Sequence, residues 1–286
     1  MDKLVKVTAD STCDLSKELL EQRDVSLMPL YVNLGEQCYR DRTDIEPGKI
    51  FAYFEQTGKL AKTSAISPED YKRFFQQYRQ EGRHIVHVCL SSEFSSCYQN
   101  ACLAAEELGG VTVIDSRNLS TGSGHLVMIA AKMAEEGEQP AAIQAALEDA
   151  IPRVDASFVV DTLEYLYKGG RCSALAALGS NLLRLKPCIE VKEGKMGVGK
   201  KYRGRIEKCL KHYVADRLEQ IDQIDPARIF VTSTMQGERL AVVEQVRQQV
   251  ESYGYFQEIL VTQAGSTITC HCGPDTLGIL YLRKTP

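Results

Sequence analysis

The stretch Ile85-Val86-His87-Val88-Cys89-Leu90-Ser91-Ser92-Glu93-Phe94-Ser95-Ser96 decides the fold class of this chain. Its first half is a short, continuous apolar run, which reads as a buried strand. Its second half is a hydroxyl-rich loop that opens an Ala-rich helix near Ser95. In an α/β sheet such a junction lies at the carboxyl end of a strand, where ligands bind. Ser95 or Ser96 can cap the helix, leaving first-turn N–H groups to meet an anion. The loop carries no basic residue, so it suits a singly charged head group such as a carboxylate better than a polyphosphate.

Outward from this junction the chain keeps alternating. Leu4 to Ala9 reads as a buried strand followed by Asp10-Ser11-Thr12, and Ser26 to Leu34 as a second strand. Pro47 and Pro68 start helices, the favoured place for proline; Tyr71, Phe74, Phe75 and Tyr78 line one face of the second, a stripe for core packing or, alternatively, a ligand wall. Val111 to Ile114 is a strand, with helices from Thr121 to Gly137 and Gln139 to Ile151. This alternation implies right-handed crossovers and a mostly parallel sheet flanked by helices. Beyond Ser157 the texture changes. Ala174 to Leu185 reads as an apolar helix, and Cys188 to Lys192 and Lys195 to Val198 flank Glu193-Gly194, a hairpin turn. The hairpin makes the second sheet mixed. The chain is therefore expected to be a two-domain α/β protein, with an amino-terminal unit over 1–152 and a carboxyl-terminal unit over 153–286.

Its 286 residues suffice for two cores. The net charge of −4 argues against nucleic acid as the main partner, since no basic excess exists to neutralise a phosphate backbone. The basic run from Lys192 to Lys208 reads as a solvated face or a dock for an acidic partner. Ten cysteines without a Cys-x-x-Cys pair, and a start (Met1-Asp2-Lys3) leading directly into a strand, point to a cytoplasmic protein with free thiols. No apolar run reaches the roughly 18 residues of a membrane span, so no stable membrane insertion is expected. Gly194 to Lys200 has P-loop spacing, but Lys201 replaces the Ser or Thr that holds magnesium. Gly122-Ser123-Gly124 lacks the third glycine of a dinucleotide fingerprint, and no Gly-x-Ser-x-Gly elbow occurs. Cys270-His271-Cys272 has no complementary ligand pair, so no metal and no cofactor are expected.

What remains is a set of polar segments in loops near strand ends: Asp10-Ser11-Thr12, Thr63-Ser64, Ser91-Ser92 and Asp115-Ser116. Converging in one crevice, their hydroxyls and amides would bind a carboxylate through charge-assisted hydrogen bonds. His271, beside Gly273-Pro274-Asp275, can donate a hydrogen bond or a charge to the same acid. Three readings stay open on these residues: a ligand-binding protein, an acyl hydrolase or transferase using Ser92 or His271, and a sensor of a small polar acid.

Asp10-Ser-Thr-Cys-Asp-Leu15, Lys62-Thr-Ser-Ala-Ile-Ser-Pro68, Leu90-Ser-Ser-Glu-Phe-Ser-Ser-Cys-Tyr-Gln99, Leu166-Tyr-Lys-Gly-Gly-Arg171 and His271-Cys-Gly-Pro-Asp-Thr-Leu-Gly278 occur in that order across nearly the whole chain. The ordered set resembles the DegV family of bacterial fatty-acid-binding proteins. The resemblance implies a non-catalytic protein that buries one long-chain fatty acid and presents its carboxylate to a separate fatty-acid kinase, giving an acyl phosphate. Carried over by motif, Thr63, Ser92 and His271 contact or orient the carboxylate. Ser64, Ser95 and Ser96 furnish supporting hydroxyls or amides, and Arg171 faces the kinase. Family members often have Ser-Gly-Thr where this chain has Ser95-Ser96-Cys97, which bears on how closely the backbone approaches the ligand.

Overall fold

The computed structural model describes residues 4–174 and 185–285, so the helix expected between Ala174 and Leu185 falls outside the described residues. The amino-terminal half runs β1 (Val5–Asp10), α1 (Lys17–Gln22), β2 (Ser26–Met28), β3 (Tyr31–Leu34), β4 (Gln37–Arg40), α2 (Pro47–Thr57), β5 (Lys62–Ser64), α3 (Pro68–Gln80), β6 (His84–Cys89), α4 (Cys97–Leu108), β7 (Val111–Asp115), α5 (Ser120–Glu135) and α6 (Pro140–Ala150). The other half follows with β8 (Val154–Val159), α7 (Glu164–Gly169), β9 (Leu185–Lys192), β10 (Lys195–Arg203), α8 (Ile206–Arg217), β11 (Ile224–Ser233), α9 (Leu240–Glu251), β12 (Glu258–Gln263), α10 (Ser266–Cys272) and β13 (Leu277–Arg283).

The described residues form three sheets. The first is a four-stranded sheet of order β2-β1-β6-β7, with every pair parallel. All positions of β1 are buried, as expected of a strand covered on both faces. The strand order reverses between β1 and β6, which opens a crevice at their carboxyl ends. The second is a mixed six-stranded sheet of order β10-β9-β8-β13-β11-β12, whose β9–β10 hairpin turns at Glu193-Gly194. The third is a small antiparallel sheet, β4-β3-β5.

The single strand expected over Ser26 to Leu34 is in fact two. Pro29 has no N–H to donate, and the chain breaks there: β2 joins the parallel sheet while β3 joins the small one. The strands β4 and β5 and the helix α10 were not expected from the sequence. The aromatic stripe of α3 is core: Tyr71 and Phe75 are fully buried and pack on the His87 ring at 5.3 and 5.1 Å between centroids.

Helix α5 is buried along nearly its whole length and packs against both large sheets, touching β1 and β6 on one side and β8, β11 and β13 on the other. Its glycines serve that closeness: a methyl group at Gly124 would lie 2.8 Å from the Cys13 carbonyl oxygen. One apolar core therefore runs across the helix, from Val7 and Val86 through Leu126 to Phe158, Phe230 and Leu280. Each such side chain contributes about 1.5–3 kcal/mol on burial. Among the described residues, no helix is long and apolar enough to cross a membrane.

Candidate functional site

Most of the polar crevice loops turn out to pin the fold. Asp10 accepts from the Tyr71 hydroxyl at 2.6 Å and the Leu90 amide at 3.0 Å, both in the interior. Ser11 donates to Asp41 at 2.9 Å, and Ser91 donates to the Gly194 carbonyl at 2.9 Å, tying β6 to the hairpin of the other sheet. Ser116 donates to the Asn118 carbonyl at 3.1 Å. The expected convergence of four segments is thus corrected: of these, only Thr63-Ser64 borders the cavity described below. Asp10, His87 and Cys89 lie close enough to suggest a metal set. However, His87 already engages Thr8 at 2.8 Å and Asp10 at 3.3 Å, and burial raises the Cys89 thiol well above its usual range. The cluster is a satisfied hydrogen-bond network around a neutral thiol, poorly suited to a cation.

A cavity of about 260 Å³ lies where the loop after β6, the strand β5 and the helix α10 meet. Leu30, Leu90, Phe94, Leu119, Met196 and Ile268 make most of its wall apolar. Its polar wall is Thr63, Ser64, Ser95, Ser96, Thr267 and His271, with Arg171 at the rim. A narrow, almost wholly apolar extension of about 30 Å³ shares Leu119, Ile268 and Cys272 with it and continues to Ala156, Phe158 and Leu280 between the large sheets.

Helix α10 carries the two residues that sequence reasoning placed least well. Its seven residues, Ser-Thr-Ile-Thr-Cys-His-Cys, are poor helix formers. It is held instead by carboxylates from the other half of the chain: Asp14 accepts from the Gly265 amide at 2.8 Å and Asp41 from the Ser266 amide at 2.8 Å. These act as N-caps supplied from a distance. Arg42 locks the arrangement, donating to Asp14 at 3.1 Å, to the Leu15 carbonyl at 3.1 Å and to the Gln263 carbonyl at 2.9 Å. Thr267 and His271 then stand one turn apart on the cavity side of α10. That spacing was the available signal for Thr267, but it is readable only once the segment is known to be helical. The Thr267 hydroxyl is buried and has no partner among the described residues.

His271 Nε2 lies 2.8 Å from the Thr63 hydroxyl oxygen. Its other nitrogen, Nδ1, is buried with no partner among the described residues and faces Gly169, where an added methyl group would lie 2.7 Å away. Buried orphan N–H groups are rarer than orphan acceptors, so the proton belongs on Nε2, donated to Thr63. The Thr63 hydroxyl hydrogen is then left to another acceptor. Burial, with the nearby charge of Arg171 adding to it, pushes His271 down to about 4, and the ring is neutral at pH 7. Among the described residues no carboxylate meets Nδ1, so the Thr63–His271 pair is not arranged there as a hydrolytic triad.

The other expected site residues fall out as follows. Ser64 accepts from the Asn33 side chain at 2.9 Å. The Ser95 hydroxyl accepts from the Cys97 amide at 3.2 Å, while Ser96 makes no side-chain cap. The backbone at Ser96 has φ −77° and ψ 5°, so serine stands there without strain in place of glycine. Ser92 is not a wall residue of the cavity; its hydroxyl donates to Asp115 at 2.6 Å, bracing the loop. Arg171 is exposed and donates to the Gly169 carbonyl at 2.7 Å.

The fold and the site together define a class: α/β proteins in which a parallel sheet and a mixed sheet enclose an apolar cavity with one polar end. The sequence profile of the DegV family, whose description is an uncharacterised protein, matches residues 4–284. The chain belongs to the DegV family. A fatty acid-binding protein of Thermotoga maritima is 30% identical over 281 residues, covering 96% of each chain. Among solved structures, a DegV family protein from Thermus thermophilus described for fatty acid binding superposes with a TM-score of 0.90 at 32% identity, covering 98% of this chain and 99% of that one. A stearic acid-binding protein from Eubacterium ventriosum gives 0.86 at 27% identity, covering 98% of both.

Proposed function

We propose that this protein binds one long-chain fatty acid, its tail in the apolar cavity and extension and its carboxylate at the polar wall. The observation that carries the reading is a largely apolar cavity whose wall includes the hydrogen-bonded pair Thr63–His271 and the Thr267 hydroxyl, which has no partner among the described residues. Each methylene removed from water contributes about 0.8 kcal/mol, so the tail supplies affinity and the hydroxyls supply orientation. A neutral site avoids burying a full ion pair, whose desolvation offsets much of its attraction. Fatty-acid binding by the similar Thermus and Eubacterium proteins supports the assignment.

In this reading the protein is a carrier and has no catalytic activity of its own. It works in the cytoplasm, and its division near Pro152 into two units places the head group between them. A separate fatty-acid kinase receives the carboxylate and forms the acyl phosphate, docking around Arg171, which is exposed beside the polar wall. Ser92 acts by holding its loop through Asp115 rather than by touching the acid. Native mass spectrometry of the purified protein, with identification of what dissociates, tests the carrier reading. One fatty acid per chain is expected; an empty protein that also fails to take up added fatty acid refutes it.

A further inference from the structure

A groove of about 560 Å³, lined by both halves of the chain, shares no residue with the main cavity and only Val191 with its narrow extension. Five cations border it, Arg117, Arg153, Lys192, Arg217 and Arg283, against three carboxylates, in a chain whose net charge is −4. Two of those carboxylates are shared among three of the cations. Asp155 meets Arg217 and, at 2.6 Å, Arg283; Glu190 meets Arg217 at 3.3 Å and Lys192 at 2.6 Å. The Nε of Arg217 is buried and has no partner among the described residues. The third carboxylate, Glu193, forms no ion pair among the described residues.

The other two arginines have no carboxylate partner inside the groove. Arg153 pairs at 2.9 Å with Asp149, which does not line it, and donates to the Arg283 carbonyl at 3.2 Å. Arg117 donates to the Glu193 carbonyl, joining the loop after β7 to the β9–β10 hairpin. Its backbone is held at φ +47°, in the left-handed region that arginine disfavours, and Asp115 fixes that turn by accepting the Arg117 amide at 2.9 Å. Cations left over within a concave wall draw an anion more strongly than cations on an open surface. Guanidinium forks match the oxygens of phosphate in pairs, whereas no aromatic ring lines the groove to stack a base. We propose that this groove binds a compact phosphate-bearing anion, an inorganic polyanion or a small phosphate monoester, with Arg117 and Arg153 supplying the charge that the groove's own carboxylates leave unmatched. The proposal stands apart from the fatty-acid reading and uses none of the head-group residues.

Calorimetric titration of the full chain at low salt with inorganic pyrophosphate and with glycerol 3-phosphate tests the site. Tighter binding of pyrophosphate assigns an inorganic polyanion, and the reverse assigns a monoester. Arg117→Gln and Arg153→Gln are each expected to weaken the tighter probe by at least about fivefold. Lys201→Gln makes the same change of charge on an exposed residue of β10 outside the groove, and should weaken it less than about twofold. A cooperative urea transition checks that each variant is folded, and the two arginines come from separate elements, so a folding defect in one leaves the other to decide. Equal losses in all three variants would mark a diffuse surface field and overturn the site. So would affinity unchanged in both arginine variants, or failure of the unaltered protein to take up either probe at millimolar concentration.

Discussion

The position of His271 is set from two sides, by Thr63 at 2.8 Å and by the bare Cα of Gly169. Gly169→Ala places a methyl group 2.7 Å from Nδ1, where ordinary contacts begin near 3.4 Å, so the ring must give way by about 0.7 Å. It cannot move toward Thr63 without closing a bond already 2.8 Å long, so it must slide or rotate and release that bond. The released Thr63 hydroxyl is no longer held by His271, and a carboxylate oxygen left unpaired costs about 1–3 kcal/mol. Fatty-acid affinity, read by calorimetric titration, should fall about 5- to 150-fold. Alanine at the last residue of α7 keeps an allowed backbone, so stability should stay within about 1 kcal/mol. Gly170→Ala supplies the opposite pattern. Gly170 has φ +69° with nothing within 4 Å of an added methyl group, so alanine there strains the backbone by about 1–2 kcal/mol without touching His271. Stability should drop and affinity hold. Unchanged affinity in Gly169→Ala with unchanged His271 NMR shifts would refute the clamp.

Other outcomes follow from the same contacts. Thr267→Val keeps the shape and removes a hydroxyl that has no partner among the described residues; fatty-acid affinity should weaken by about 1–3 kcal/mol with no loss of urea stability, and unchanged affinity removes Thr267 from the head-group site. Asp14→Ala frees the Gly265 amide and strands Arg42, costing about 3–5 kcal/mol in urea unfolding; a cost under about 1 kcal/mol would show that α10 does not depend on it. Ser92→Ala should lower stability by about 0.5–1.5 kcal/mol through Asp115 and affect affinity far less than Thr63→Ala; the reverse order would return Ser92 to the ligand. Burial holds both His125 and His271 down to about 4, below the unfolded value of about 6.5. The unfolded chain therefore takes up these protons first, so their share of stability is intact above about pH 6.5 and is lost as pH falls toward 4, at up to about 1.4 kcal/mol per unit each. An NMR titration in which either ring protonates near 6.5 contradicts this.

The parallel sheet was legible because β1 and β6 are short, mostly apolar segments followed by hydroxyl-rich loops, and the hairpin because Glu193-Gly194 supplies the positive φ its turn needs. The small sheet was not, because β4 and β5 are short and largely exposed, with no alternation to read. α10 was illegible for a different reason: what makes it helical is Asp14 and Asp41, more than two hundred residues away. Sequence reasoning therefore singled out His271 without its helix and missed Thr267 altogether. It also could not separate hydroxyls that pin a loop, as Ser11, Ser91, Ser92 and Ser116 do, from those that face a cavity, as Thr63 does. Both kinds occupy the same turns at strand ends, and only the acceptor they reach distinguishes them. Gly169 stood out as part of the Gly-Gly-Arg motif, and its use, making room for His271, depends on a contact across the fold.

The crystal structure of this protein with a fatty acid bound tests the central claim most directly. The account predicts the tail along Phe94, Leu119 and Ile268 and a carboxylate oxygen within hydrogen-bond distance of the Thr63 hydroxyl. An acid bound elsewhere, or one in this cavity with its carboxylate turned away from Thr63 and His271, would contradict it.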